Sequence, residues 1–265
     1  MGRRLPELPE EVLHRHGAAL LTLQCAGNCL AALPAGLGWH CPNLTDLGLA
    51  SNRLESIDSA VLTQLTALTA LSLSGNALAT LPGAIGTLGA LQVLALGGNE
   101  LTALPTEIGL LGSLRTLGLA ENSLGGLPAE VGQLAALRAL SLDDNPELGA
   151  LPDELCELEA LETLSVTGCG LCALPSRLGA LRSLVTLQAK DNEIVALPPS
   201  VGALQALRTL GLSGNLLHSL PDSLGGCASL ALLAVSSNRL EALPAALAQL
   251  AVLHEIRADD NPLRG

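Results

Sequence analysis

The stretch Leu91-Gln92-Val93-Leu94-Ala95-Leu96-Gly97-Gly98-Asn99-Glu100-Leu101 decides the fold. Leu94 and Leu96 alternate with small residues, which is the period of a short strand with leucine on one face. Asn99 follows where the chain must turn. The spacing L-x-x-L-x-L-x-x-N-x-L then returns along the chain. Leu68, Leu71, Leu73, Asn76 and Leu78 carry it, as do Leu207, Leu210, Leu212, Asn215 and Leu217. Its asparagines are Asn28, Asn52, Asn76, Asn99, Asn122, Asn145, Asn192, Asn215, Asn238 and Asn261, with Cys169 at the one missing position. After most units comes a Leu-Pro step, such as Leu81-Pro82 or Leu104-Pro105, and commonly then an apolar-Gly pair, such as Ile85-Gly86 or Val131-Gly132; the second unit has Ile57-Asp58 in place of Leu-Pro.

A unit this short cannot bury its own apolar face, so neighbouring units must stack to do it. Successive strands are expected to pair in parallel, as the right-handed coil of a solenoid demands. At roughly 4.8 Å per strand, such a sheet of eleven units runs about 50 Å along its arc. The Leu-Pro step fixes φ and opens a short helical or 3₁₀ turn on the opposite side. An asparagine side chain both donates and accepts, so a column of them can satisfy turn backbone that stacking would otherwise bury bare. Cys169 cannot do this fully. A local weak point, or a thiol acting as a poor substitute, is expected there.

This pattern resembles the leucine-rich-repeat superfamily over essentially the whole chain. The 23-residue form with Leu-Pro-x-x-Ile-Gly-x-Leu is similar to the intracellular Ras-group (Shoc2-like) class. The resemblance implies an α/β solenoid: a curved horseshoe with a parallel concave sheet and short helices or 3₁₀ turns on the convex side. It also implies a protein-binding scaffold or adaptor, with small GTPases or phosphatases as candidate partners.

Composition narrows the function. Thirteen Lys and Arg against 25 Asp and Glu give a net charge of -12, which argues against nucleic acid, since phosphate contacts need clustered cations. Lys190 is the only lysine. There is no Phe or Tyr, and Trp39 is the only aromatic residue, so one small packing problem is solved many times with leucine. No apolar run reaches the length of a spanning helix, and no membrane insertion is expected. The first residues, Met1-Gly2-Arg3-Arg4-Leu5-Pro6, lack a signal peptide's apolar stretch, which with seven scattered cysteines favours a cytoplasmic protein. Cys169-Gly170-Leu171-Cys172 has CxxC spacing, but both cysteines fall at repeat positions and no second pair completes a metal site. No nucleophile, phosphate-loop or metalloprotease pattern is present. The chain reads as a non-enzyme without a cofactor.

Departures from the repeat mark the ends and the middle. Residues 1–19 form an N-terminal capping half-repeat, with residues 20–265 the array of about eleven units. In the second unit Ser59 to Leu65 is expected to be helical with Asp58 as N-cap. The sixth unit carries one extra residue in Asn145-Pro146-Glu147-Leu148-Gly149-Ala150-Leu151-Pro152, expected to bulge. The last unit has no covering helix, so its uncapped edge is a candidate contact.

The solvent-facing strand columns are dominated by small residues, which disfavours a tight peptide groove because binding hot spots are usually Trp, Tyr or Arg. Charge gathers in the middle. Glu121, Asp143, Asp144 and Asp191 lie at one end of adjacent strands with Lys190 among them. Arg115, Arg138 and Arg208 lie at the other end with Glu162 between. This two-rimmed patch, together with Arg257, is the candidate partner-binding surface, and its acidic rim would steer a basic or mixed-charge partner. Trp39 is expected to fill core near the N-terminal cap; exposed, it would mark a contact on the edge or back. Two further readings stand beside the scaffold. One is a structural subunit of a large intracellular assembly. The other is a receptor ectodomain fragment, prompted by the plant-like Leu148-Gly149-Ala150-Leu151-Pro152 and weighed against by missing paired-cysteine caps.

Overall fold

Wherever the pattern places x-Leu-x, the chain forms a three-residue strand: β1 (Thr22–Gln24), β2 (Asp46–Gly48), β3 (Ala70–Ser72), β4 (Val93–Ala95), β5 (Thr116–Gly118), β6 (Ala139–Ser141), β7 (Thr163–Ser165), β8 (Thr186–Gln188), β9 (Thr209–Gly211), β10 (Leu232–Ala234) and β11 (Glu255–Arg257). The computed structural model describes residues 5–264; residues 1–4 of the N-terminal half-unit, and residue 265, lie outside them. The strands pair in parallel in sequence order in one sheet. Their middle leucines stay in register, Leu94 lying opposite both Leu71 and Leu117. The chain is therefore a solenoid with the sheet as its concave wall.

Each strand is short because the backbone turns at a fixed point. The residue just before each asparagine, or before Cys169, has positive φ in all eleven units, from 53° at Asp191 to 71° at Gly27 and Gly214. Five of these residues are Gly; Ser51, Glu121, Asp144, Asp191, Ser237 and Asp260 hold the left-handed backbone with a side chain attached. The asparagine then ties the turn to its neighbour. Asn122 donates to the carbonyls of Leu96 (3.1 Å) and Leu119 (3.0 Å), and its Oδ1 accepts from the Leu101 N–H at 3.0 Å. One side chain thus staples two units.

The convex wall follows from the Leu-Pro steps. Pro82, Pro105 and Pro128, with φ near -70°, precede the 3₁₀ turns Gly83–Thr87, Thr106–Leu110 and Ala129–Gln133. At the N-terminal end the turns are helical: α1 (Glu10–His16), α2 (Leu37–His40) and α3 (Ser59–Leu62). Asp58 caps α3 by accepting from the Ala60 N–H at 2.8 Å; the helix ends at Leu62, short of the expected Leu65. Between the two walls runs one continuous core of leucines, most of them fully buried. Each contributes on the order of 2 kcal/mol by burial. Leu8 and Leu13 join it from the N-terminal segment, and the Leu5 N–H meets Asn28 Oδ1 at 2.9 Å. At the other end Ile256 is 42 % exposed, where its counterpart Leu233 is fully buried.

One expectation is overturned here, and one of two alternatives at Cys169 is borne out. Trp39 is 74 % exposed, not core. Its four-residue helix turns Leu37 inward, with Cys41 buried just beyond, leaving no inward position for Trp39. At Cys169 the thiol does substitute, donating to the Leu142 carbonyl at 3.2 Å. The acceptor that asparagine would have supplied is made unnecessary by the sixth unit's extra residue. The Leu148 N–H, equivalent to the Leu101 N–H, turns back to the Asn145 carbonyl at 3.0 Å, and Gly149 completes the bulge at φ 64°.

Candidate functional site

The concave columns place most of the central charges together, but not as equals. Asp143 is a fixed part of the sheet surface. Its carboxylate accepts from the Ser165 hydroxyl (2.6 Å), the Thr167 N–H (2.8 Å) and the Ser141 hydroxyl (3.1 Å). It therefore clamps β6 to β7 and is not a free steering charge. Arg138 pairs with Glu162, so the basic rim is partly neutralised by its own acid. Arg257 is held by Glu255 on the same strand at 2.6 Å, away from the centre.

What remains exposed at the acidic rim is Glu121, Asp144 and Asp191. All three occupy the left-handed position. The backbone there projects their side chains outward, and an ideal Cβ at Gly168 would stand 2.9 Å from Asp144 Oδ1, so the carboxylate leans over the next unit. Arg115 and Arg208 are exposed at the opposite rim, six residues or about 20 Å of extended chain away. Among the described residues, neither arginine forms an ion pair. Half-buried Lys190 sits at the acidic rim, directly before Asp191.

Gln188 belongs with this surface and was missed from sequence. It faces Gly211 in the β8–β9 register, and its side chain fills the space a Cβ would occupy there. Its buried Oε1 has no hydrogen-bond partner. A glutamine preceding a glycine by one repeat was the available signal, and Gln24 over Gly48 repeats it.

The cysteines are packing and capping groups. Burial pushes Cys156, Cys169 and Cys227 up to about 11, so their thiols stay protonated at neutral pH. Those of Cys169 and Cys227 donate to the carbonyls of Leu142 and Val201. Cys172 of the CxxC is exposed, apart from its buried neighbour. Among the described residues no cluster of His, Cys, Asp and Glu has a metal-holding arrangement, and no helix is long and apolar enough to cross a membrane.

Comparison with known proteins agrees with this geometry. A leucine-rich repeat region profile matches residues 43–145, and a leucine rich repeat profile matches residues 182–240. A leucine-rich-repeat protein of Leptospira interrogans is 30 % identical with a TM-score of 0.83, over 98 % of this chain and 77 % of its own. The chain belongs to the leucine-rich-repeat family. Proteins of this family generally mediate protein–protein interaction and are typically non-catalytic. A TDR receptor structure is 28 % identical (TM-score 0.86) over 96 % of this chain. The Arabidopsis receptor kinase HAESA, solved with the peptide hormone IDA and the co-receptor SERK1, is 26 % identical (TM-score 0.76) over 91 %. The chain spans 45 % and 46 % of those two receptors. No curated protein matches the sequence.

Proposed function

We propose that the chain is a non-catalytic scaffold or adaptor that seats a protein partner on the middle of its concave face. One observation carries this reading. After internal pairing is accounted for, Glu121, Asp144 and Asp191 at one rim and Arg115 and Arg208 at the other stay exposed around Gln188, with half-buried Lys190 at the acidic rim. Opposed charged rims steer and orient a partner of complementary pattern more than they add raw affinity. The 23-residue Leu-Pro-x-x-Ile-Gly unit supports an intracellular Ras-group role with small GTPase or phosphatase partners. Thiols used as buried donors support a reducing, cytoplasmic setting.

The test is kinetic. With the partner recovered by affinity purification, the Asp144→Lys/Asp191→Lys variant should associate about tenfold more slowly at low salt, with its dissociation rate little changed. An unchanged association rate overturns the reading. Asp143 is left intact, because altering it would disturb the sheet.

The assembly-subunit reading is favoured by the exposed apolar edge of β11, where Ile256 and Leu263 offer a second contact. The ectodomain reading is favoured by the likeness to receptor structures. Solution mass separates the first of these from the scaffold: a subunit is recovered only in a complex.

A further inference from the structure

We infer that a groove on the convex side, between the 3₁₀ turns Asp153–Glu157 and Leu178–Ala180, is a second binding site, for an extended peptide segment carrying one acidic and one basic side chain. The groove encloses about 530 Å³, within the range of sites that hold ligands. Glu157 and Glu159 come from the sixth unit and Arg177 and Arg182 from the seventh, with Cys156 and Ser183 also in its lining.

The groove has a local cause. Most convex turns are five-residue 3₁₀ turns opened directly by proline, and they stack on one another. In the seventh unit the 3₁₀ turn shrinks to three residues and begins after Arg177 instead of Pro175. The two neighbours therefore meet over a shorter length. The shortened turn is nevertheless fixed from behind. The Ser200 hydroxyl donates to the Ser176 carbonyl at 2.7 Å and accepts from the Gly179 N–H at 3.3 Å. Buried Cys156, its thiol protonated at neutral pH, adds no charge to the lining.

Charge selects the occupant. Among the described residues, neither Glu157 nor Glu159 forms an ion pair with Arg177 or Arg182. Acids and arginines thus line one groove without pairing across it. A polyanion meets the glutamates and a polycation meets the arginines. A segment bearing one charge of each sign satisfies both, with a carboxylate well matched to the guanidinium fork. This site lies on the wall opposite the concave patch, so the two readings stand or fall separately.

The experiment is an amide chemical-shift titration of the ¹⁵N-labelled full chain. The probes are acetylated and amidated pentapeptides: Gly-Lys-Gly-Glu-Gly, its reverse Gly-Glu-Gly-Lys-Gly, and the like-charged Gly-Lys-Gly-Lys-Gly and Gly-Glu-Gly-Glu-Gly. At least one mixed peptide should give saturating shifts confined to residues 153–159 and 177–183. Its binding should weaken at least tenfold in Arg182→Glu, and not in the concave-face control Arg115→Glu. Non-saturating shifts, equal binding of the like-charged peptides, or undiminished binding by Arg182→Glu would each overturn the proposal.

Discussion

A single asparagine ties together backbone groups of two units, which no leucine side chain can do. Asn122 satisfies three backbone groups in two units, and it is buried with them. Replacing it with Ala strands the Leu101 N–H away from water, at a cost of about 1–3 kcal/mol, while the Leu96 and Leu119 carbonyls each keep one donor, from Asn99 and Asn145. Asn122→Ala should therefore lower stability by about 2 kcal/mol in urea unfolding. Cys169→Ala, which removes one thiol donor, should cost about 1 kcal/mol. Equal losses would show that the column is not what joins the units. The asparagine column was legible because its function fixes both its spacing and its residue type. Trp39 was not legible: the pattern says which positions point inward, and a four-residue helix in place of a 3₁₀ turn reassigns them. Asp143 read as one acid among four. Only the hydroxyls of Ser141 and Ser165, which face each other across the register, distinguish it from Asp144, and recognising them requires knowing that all three side chains share one face.

At the level of the element, the turn that ends each strand is the recurring decision. Its left-handed residue went unread because Gly, Ser, Asp and Glu share the position and look like a loop of mixed composition. Holding a side chain at positive φ costs about 1 kcal/mol, and six units accept it. The sixth and seventh units show two departures acting as one. The extra residue gives the Leu148 N–H a local acceptor, which is why Cys169 can lack the Oδ1 that other units require. Deleting Gly149 restores a 23-residue unit and leaves that N–H facing a thiol that accepts poorly. Deletion alone should destabilise, while deletion together with Cys169→Asn should recover about 1 kcal/mol beyond the sum of the separate effects. A double-mutant cycle by chemical denaturation measures that coupling, and simple additivity would show the two departures to be unrelated. The insertion was plain in the sequence and so was the cysteine, but their dependence on one another needed the hydrogen bonds.

Across the whole molecule, an unusual composition makes alkaline pH a selective probe of the core. With no Tyr and one Lys, the side chains that titrate between pH 9 and 11 are almost all thiols. Burial raises Cys156, Cys169 and Cys227 from 9.0 to about 11, and Cys25 and Cys41 move in the same direction. Below pH 9 these groups are protonated whether the chain is folded or not, and the folded state keeps its full advantage. Between pH 9 and 11 the unfolded chain releases protons that the folded chain retains, so stability falls as pH rises, by about 1 kcal/mol per pH unit for each strongly shifted thiol. These thiols lie in the sixth, seventh and ninth units, so the loss is spread along the solenoid instead of being confined to an end. The thermal midpoint should hold steady from pH 7 to about 9 and then drop steeply. The Cys156→Ala/Cys227→Ala variant starts lower, because each substitution leaves a small cavity, yet its drop between pH 9 and 11 should be roughly half as steep. Comparing the two slopes separates ionisation from packing, and identical slopes would mean that burial of the thiols is not what limits the fold at high pH.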